Sequence, residues 1–332
     1  MPEGRAPAEA TMRAAVLHAG KGAPEYGPFP EPLPGEGEVR VRVRAAGLHP
    51  VVKALAAGTH YGSTARRPLV PGVDGVGRLD DGRRVYFGFP RPPYGTLAEQ
   101  SVVPRAMCLP LPADVDDVQM AALANPGISA WLALTWRAAL VPGETVLVLG
   151  ATGAAGQLAV QLARRFGAGR VVAAGRNPGV LARLGDLGAD ATVSLDVPEG
   201  ELPAAFAGAA GGGGIHVIVD YLWGRPTEAA LAAVGRSGLT HVAPRVRLVE
   251  IGESAGPTIS LPAALLRGSG VELYGSGAGT APLERIAEIM PRFLAAVAGG
   301  ELRLDVEAVP LADVATAWEG PAPAGRRLVL VP

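Results

Sequence analysis

The chain has 332 residues, 48% of them hydrophobic, and a formal net charge of −1, a length that accommodates two domains with cores of their own. The near-neutral charge provides no basic field for nucleic acid, and the single cysteine, Cys108, excludes an intrachain disulfide framework and a Cys-rich zinc lobe. No apolar run approaches a membrane span and no signal peptide is recognisable, so we expect a cytoplasmic protein that binds neither nucleic acid nor membrane.

The first third of the chain is predicted to consist of short strands. Residues 1–11 are polar and are expected to form a loose leader, and a strand is expected from Met12 to Leu17. Residues 38–45 alternate apolar and charged side chains, the pattern of a half-buried antiparallel strand. Further short strands are predicted at residues 73–79, 84–87 and 98–103. Residues 12–115 should therefore form a compact, irregular β region.

The pattern changes after residue 115. Apolar spacing predicts helical packing over residues 116–139, interrupted at Asn125-Pro126-Gly127. Strands and helices then alternate, with strands predicted at 145–149, 171–174, 191–194, 215–219, 247–251 and 271–275. Such alternation favours a parallel, doubly wound sheet. A helix is expected over residues 283–298, and a last strand over 327–331 that returns to the first domain.

The strongest functional signal is a glycine-rich turn between a strand and a helix. The turn is Gly150-Ala151-Thr152-Gly153-Ala154-Ala155-Gly156, and it leads into a helix with Leu158 and Leu162 on one face. In this setting glycines permit a tight turn and close approach to a pyrophosphate, which meets free N–H groups at the helix N-terminus. The turn therefore predicts a dinucleotide site; a tight strand-to-helix turn without a ligand is the alternative.

The end of the second strand of this unit indicates which dinucleotide is bound. It is Ala174-Gly175-Arg176-Asn177, without the carboxylate that holds the ribose 2′-hydroxyl of NAD. Gly175 leaves space, and Arg176 offers a planar cation to a phosphate. NADP(H) is therefore the predicted cofactor, with Arg176 and Asn177 at its adenosine ribose phosphate. An ordinary solvated arginine is the alternative for Arg176.

Several further motifs, taken together, resemble the medium-chain dehydrogenase/reductase superfamily, and within it the zinc-independent quinone oxidoreductase and enoyl reductase branch. The resemblance extends from Met12 to Val331. It rests on Gly35-Glu36-Gly37-Glu38-Val39, Val70-Pro71-Gly72-Val73-Asp74-Gly75-Val76-Gly77, Gly82-Arg83-Arg84-Val85, Gly95-Thr96-Leu97-Ala98-Glu99 and Pro142-Gly143-Glu144-Thr145-Val146.

This resemblance implies an α/β fold with a Rossmann doubly wound parallel sheet at residues 123–277. A GroES-like irregular β domain would be formed by both chain ends, at residues 12–122 and 278–332. It also implies an active site in the cleft between the domains and a homodimer joined through the Rossmann domains.

The zinc site of related alcohol dehydrogenases is missing. Those enzymes carry Cys-Gly-Val-Cys-His and later Gly-His-Glu, where this chain has Ala46-Gly47-Leu48-His49-Pro50 and Gly72-Val73-Asp74. His49 and His60 lack partner ligands at zinc spacing, and a catalytic zinc needs about three protein ligands plus water. No metal is therefore predicted. Without a Lewis acid, a quinone or conjugated enone is easier to reduce than a simple ketone.

The resemblance implies a zinc-independent, NADPH-dependent oxidoreductase that transfers hydride to a small-molecule quinone or α,β-unsaturated carbonyl. The alternatives are a pathway-specific enoyl reductase of secondary metabolism and a non-catalytic NADPH-binding protein. The Asn-Phe-Ile-Asp-x-Tyr pattern frequent in quinone reductases is absent from residues 49–58, so the acceptor stays open.

Negative charge developing on the acceptor oxygen needs a hydrogen-bond donor and later a proton. The candidates are Lys53, Tyr61 and His49. Each has a structural alternative, since His49 could brace a turn, Lys53 could be solvated or paired, and Tyr61 could wall a pocket. A water could also protonate the product.

By resemblance, three loops lie near the nicotinamide side of the cofactor, with candidate residues Tyr221, Leu222, Trp223, Ile251, Gly252, Ser276 and Gly277. Asn125 precedes a helix that lines the cleft in the family and is a further cofactor candidate. Helix capping, for which asparagine is well suited, is the alternative for Asn125.

Overall fold

The structure is a computed structural model that describes residues 10–198, 200–235, 242–277, 279–321 and 324–332. Most of the predicted leader lies outside the described residues, and a strand already begins at Thr11. Contacts divide the chain into unit 1, residues 1–125 and 305–332, and unit 2, residues 126–304. None of the helices that the structure describes has the length and apolar character needed to cross a membrane.

The strands, in chain order, are β1 (Thr11–Val16), β2 (Glu25–Pro30), β3 (Glu38–Gly47), β4 (Asp74–Leu79), β5 (Arg84–Gly88), β6 (Gln100–Pro104), β7 (Cys108–Pro110), β8 (Thr145–Leu149), β9 (Arg170–Gly175), β10 (Ala191–Ser194), β11 (Val217–Asp220), β12 (Arg245–Glu250), β13 (Gly270–Gly275), β14 (Asp305–Pro310) and β15 (Arg326–Val331). The α-helices are α1 (Pro50–Ala57), α2 (Asp117–Leu132), α3 (Ala154–Arg165), α4 (Pro178–Leu181), α5 (Leu202–Ala210), α6 (Gly224–Val234), α7 (Ala263–Gly268), α8 (Leu283–Ala298) and α9 (Val314–Glu319).

Unit 1 is built on a mostly antiparallel sheet with strand order β14-β15-β3-β4-β5-β7, and β6 also pairs with β3. In β3 the valines Val39, Val41 and Val43 are buried while Arg42 and Arg44 are exposed, as the alternation predicted. Strand β15 pairs antiparallel with β3. The end of the chain therefore completes the sheet begun by its N-terminal part, which confirms the domain formed by both chain ends.

Unit 2 contains a six-stranded parallel sheet with strand order β10-β9-β8-β11-β12-β13. Helix α3 packs against β8 and β9. The hydrophobic core of this unit joins Leu147, Ile218 and Leu248 of the strands with Phe206 of α5 and Leu231 of α6. The Rossmann-type doubly wound sheet predicted from the alternation of strands and helices is confirmed.

Helix α2 differs from the prediction, because it continues through Asn125-Pro126-Gly127 instead of breaking there. A proline inside a helix removes a hydrogen bond and favours a break, but burial of neighbouring side chains such as Trp131 keeps the segment helical. At Gly127 a Cβ atom would lie 2.6 Å from the Phe293 ring of α8. This contact between α2 and α8 needs a glycine.

The boundary between the units also differs from the expected one. Residues 278–304, which the resemblance assigned to the chain-end domain, belong to unit 2 together with α8. The buried Phe293 and Trp131 rings lie 6.2 Å apart in an edge-to-face arrangement, so α8 packs within unit 2.

Candidate functional site

The turn after β8 is held close to the neighbouring strand. The N–H groups of Gly150 and Ala151 both donate to the Ala174 carbonyl, at 3.0 and 2.8 Å, and Gly153 N–H donates to Gly150 O at 3.0 Å. Gly150 has φ +86°, a left-handed conformation that glycine adopts without strain. These bonds make the turn tight and direct the chain into α3.

The other two glycines of the turn differ from each other. A Cβ atom on Gly156 would lie 2.2 Å from Gly150 O and 2.6 Å from the Ala151 Cα, so this glycine lets α3 pack onto the turn. Gly153, the N-cap of α3, has φ −82° and its nearest Cβ contact would be an ordinary 3.4 Å. The fold therefore requires a glycine at 156 but not at 153, which leaves Gly153 for another role.

The end of β9 contains the residues predicted to select the nucleotide. A Cβ atom on Gly175 would lie 2.4 Å from the Thr152 side chain, so the absence of a side chain makes room for Thr152. Arg176 is exposed, and no described residue makes a hydrogen bond or ion pair with its guanidinium. Asn177 is the N-cap of α4, and its Oδ1 accepts a hydrogen bond from Val180 N at 3.0 Å. Arg176 is thus available to a ligand, whereas the Asn177 oxygen has a structural bond.

The loop after β11 is organised by Asp220, a residue that sequence analysis did not select. Its buried carboxylate accepts hydrogen bonds from Leu222 N at 2.8 Å, Trp223 N at 3.0 Å and the Thr227 hydroxyl at 2.5 Å. Burial raises the pKa of Asp220, and the three hydrogen bonds oppose that shift. The available signal was an acidic residue that ends an apolar strand at the edge where parallel sheets bind ligands.

The loops after β11 and β12 are joined by backbone hydrogen bonds. Ile251 N–H donates to Asp220 O at 2.8 Å, and Ala255 N–H donates to Leu222 O at 2.7 Å. Within this arrangement Trp223 has φ +54° and ψ −164°, a backbone region populated almost only by glycine, in which another residue costs about 1–3 kcal/mol. Strain of this kind persists where the surroundings over-determine it, often at functional sites.

A cavity of about 350 Å³ opens beside these loops in unit 2. It is lined by Trp223, Leu248, Glu250, Glu253, Pro257, Leu273, Tyr274 and Gly275. Burial, with the charges of Asp220 and Glu253, raises the pKa of Glu250. At the next strand, Ser276 N–H donates to Glu250 O at 2.8 Å and Gly277 N–H to the Thr280 hydroxyl at 3.1 Å.

The candidate cofactor residues of unit 2 therefore share one edge of the sheet. They follow the carboxyl ends of the parallel strands β8, β9, β11, β12 and β13, the edge at which open α/β sheets bind ligands. Asn125 belongs to unit 1. It lies inside α2 and not at its start, so the alternative role as an N-cap does not apply.

In unit 1, His49 is 2% exposed and precedes α1. Its Nε2 lies 3.2 Å from Asp74 Oδ1, although neither ring nitrogen has hydrogen-bond geometry to a described residue. The ring packs against Gly47, where a Cβ atom would lie 2.3 Å from Nε2. These contacts are those of a residue enclosed in the fold.

Asp74 connects His49 to further buried polar groups. Its Oδ2 accepts a hydrogen bond from the Tyr86 hydroxyl at 2.9 Å, and burial together with the Asp74 charge raises the pKa of Tyr86. Burial lowers the pKa of Arg327 to about 10, an effect that the Asp74 charge opposes, and Arg327 donates to Leu48 O at 3.1 Å. Asp74 thus joins α1, β5 and β15 around β4.

The other two candidate proton donors, Lys53 and Tyr61, differ in how far their side chains are exposed to solvent. The Lys53 ammonium is half-buried, donates to Trp318 O at 2.6 Å and lies 5.8 Å from the Trp318 ring centre. Burial lowers the pKa of Lys53. Tyr61 is 76% exposed, and its ring lies 4.0 Å from that of His60.

In the part of the chain that the structure describes, no three His, Cys, Asp or Glu side chains converge as metal ligands would.

The chain is similar to known proteins in sequence and in fold. A family profile described as zinc-binding dehydrogenase matches residues 154–295. A protein of Emericella nidulans named "Probable NADPH-dependent quinone reductase" is 29% identical over 323 residues, covering 87% of this chain and 90% of the relative. A trans-enoyl reductase of Aspergillus terreus is 30% identical over 115 residues, covering 35% of this chain and 30% of the relative.

Among solved structures, the quinone oxidoreductase of Thermus thermophilus superposes with a TM-score of 0.78 at 32% identity. The match covers 97% of this chain and 100% of that one, and the crystal structures of that protein include a complex with NADPH.

Proposed function

Because the chain belongs to the medium-chain dehydrogenase/reductase superfamily, in its quinone oxidoreductase branch, we propose that it is an NADPH-dependent reductase of quinones or α,β-unsaturated carbonyls. The observation that carries the proposal is the edge of the parallel sheet, where a tight glycine turn and the exposed Arg176 follow adjacent strands. The relatives named as a probable NADPH-dependent quinone reductase and as a quinone oxidoreductase support the same reaction class.

The residues at this edge fit a dinucleotide phosphate. The first N–H groups of α3 have no partner within the helix and carry its positive dipole end, which suits a pyrophosphate. Gly153 allows backbone approach, and the Arg176 guanidinium can bind the 2′-phosphate through two parallel hydrogen bonds. When bound there, NADPH would supply the hydride. Asp220 would hold the loop of Tyr221, Leu222 and Trp223 in one conformation.

The acceptor oxygen requires a donor, and the candidates in unit 1 differ in suitability. His49 is enclosed against Asp74 and Gly47, so its geometry favours bracing the start of α1. The Lys53 ammonium has three protons and donates one of them to Trp318 O. Its lowered pKa favours proton release, so Lys53 is a better candidate than His49. Tyr61 is also a better candidate than His49 because its side chain is exposed. Water delivering the proton is the alternative.

We propose that this chemistry proceeds without zinc. The segments around Gly47 and Val73 lack the cysteines and histidines of zinc-dependent relatives at the matching positions, and the described residues form no cluster of metal-ligand type. The matching family profile is described as zinc-binding dehydrogenase, but it covers only residues 154–295. It therefore includes neither the segment around Gly47 nor the segment around Val73.

The deciding experiment follows nicotinamide absorbance with chelator-treated protein, NADPH or NADH, and either a naphthoquinone or cyclohexenone. Turnover with NADPH is expected. Arg176→Ala should weaken NADPH about tenfold to a hundredfold, as loss of a charge-assisted hydrogen bond does, with NADH little changed. Arg267→Ala, at an exposed arginine on α7, is the matched control. Equal weakening of both nucleotides would contradict the phosphate assignment.

A pathway-specific enoyl reductase is the second candidate, because a trans-enoyl reductase is among the sequence relatives. Both reactions deliver hydride to a conjugated acceptor, so the same residues serve either. Turnover of an enoyl thioester without turnover of the quinone would favour this candidate. Tight NADPH binding with no acceptor consumed would instead indicate a non-catalytic NADPH-binding protein.

A further inference from the structure

Phe89, directly after β5, has an unusual backbone conformation. Its φ is +55°, in the left-handed region that glycine and asparagine occupy easily and a bulky side chain does not. Its N–H donates to Val73 O at 3.0 Å, and the adjacent Gly88 pairs with Asp74 in the sheet. The strained conformation is therefore held by bonds on the β4 side of the loop.

The rest of this loop, residues 90–94, is anchored by contacts with neighbouring segments. Arg91 donates to Leu33 O at 2.8 Å and lies 3.2 Å from a Glu38 carboxylate oxygen. The Tyr94 ring packs edge-to-face on Phe29 with centres 5.8 Å apart. Prolines occupy positions 90, 92 and 93, which restricts the backbone further. The loop is thus a rigid support whose conformation is set before any ligand arrives.

On this rigid loop the Phe89 side chain is 53% exposed. Within the described residues, neither an aromatic ring nor a cation stacks on it, in contrast to Tyr94. A single exposed apolar residue is ordinary. It is unusual, however, for an exposed aromatic side chain to be held in a strained conformation by an anchored loop. Strain of this kind is a reason to suspect function.

We infer that Phe89 is a specificity-determining residue, a stacking platform for the flat ring of an aromatic quinone acceptor. The inference rests on the proposed function for the class of acceptor. Electron-poor rings stack favourably in an offset arrangement on a phenyl face, and a pre-organised aromatic side chain loses little conformational entropy on binding. Phe89 lies beside Val73 and Asp74, and Asp74 in turn contacts His49 at the start of the segment that carries Lys53 and Tyr61.

The test measures equilibrium binding of 1,4-naphthoquinone, by dialysis, to the protein saturated with NADP⁺, so that no turnover occurs. Phe89→Leu and Phe89→Asn should weaken the binding of naphthoquinone about tenfold. Phe89→Tyr should bind naphthoquinone as tightly as the unmodified protein does. Asparagine tolerates the left-handed conformation, so Phe89→Asn keeps the loop folded. Leu33→Ala, at a residue 77% exposed in the same unit, is the control and should change nothing.

A kinetic arm separates stacking from general damage. Phe89→Leu should raise KM for naphthoquinone while leaving KM for an acyclic enone and the Kd of NADPH unchanged. Naphthoquinone affinity within about twofold of the unmodified protein in both Phe89→Leu and Phe89→Asn, or no binding by the unmodified protein, overturns the inference. Phe89-dependent binding without oxidation of NADPH by any acceptor would instead overturn the proposed function and leave the stacking site standing.

Discussion

Gly156 offers the sharpest test of how the glycine turn is built. In an exposed helix, Gly→Ala stabilises by about 1 kcal/mol. At position 156 the new Cβ would lie 2.2 Å from Gly150 O and 2.6 Å from the Ala151 Cα. Both atoms belong to the backbone and cannot rotate away. Helix α3 must therefore shift by about 1 Å, and overpacking of this kind costs about 3 kcal/mol. We therefore expect Gly156→Ala to destabilise the protein, whereas the same substitution in an exposed helix stabilises it.

The assay compares urea unfolding of Gly156→Ala with that of Gly153→Ala. At 153 the nearest contact would be 3.4 Å and φ is −82°, so the cost should stay below about 1 kcal/mol. In a parallel thermal unfolding experiment, a cost of about 3 kcal/mol should lower the melting temperature of a unit of this size by about 6–12 °C. A Gly156→Ala protein as stable as the unmodified chain would refute the packing argument.

Separately, Gly153→Val should fold but bind NADPH weakly, and unchanged NADPH affinity would refute the pyrophosphate role.

Three further predictions follow from buried or paired groups. Asp220→Ala leaves two N–H donors and the Thr227 hydroxyl unpaired. Urea unfolding should show that the free energy of unfolding falls by about 3–5 kcal/mol, against about 1 kcal/mol for Asp220→Asn. Equal losses in the two variants would contradict the role of Asp220 in holding the loop. Gly47→Ala places a Cβ atom 2.3 Å from His49 Nε2 and 2.7 Å from Ala121 O, so its thermal midpoint should fall by several degrees, and an unchanged midpoint would refute the enclosure of His49. Hydrogen bonds from Arg245 and Tyr274 lower the pKa of Glu272 to about 2. Glu272→Gln should therefore be less stable than the unmodified protein at neutral pH, and this difference in stability should disappear as pH falls from about 4.3 to about 2. A difference in stability that does not depend on pH would exclude this origin.

Local patterns in the sequence were enough for the main architecture. Alternation of strands and helices predicted the parallel sheet of unit 2, because each strand buried on both faces is a short apolar run bounded by turn residues. The valine–arginine alternation of β3 predicted one buried face. The turn at Gly150 was recognisable because its glycines follow a strand and open a helix. Periodicity and turn chemistry act over a few residues, so a single sequence displays them.

Other features depended on contacts between distant residues. Strand β2 (Glu25–Pro30) contains two prolines and no clear alternation, and it forms because β1 pairs with it along its whole length. Helix α2 passes through Pro126 because tertiary packing outweighs the local preference to break.

The candidate site shows the same division. The sequence alone identified Gly150, Gly153, Gly156 and Arg176 as cofactor candidates, since spacing and charge are local properties. Only the tertiary structure decided that His49 is enclosed by Asp74, that Asp220 holds the loop after β11, and that Phe89 is exposed in a left-handed conformation. Burial, hydrogen-bond partners and backbone strain arise from residues far apart in the chain, and no local pattern encodes which of them will meet.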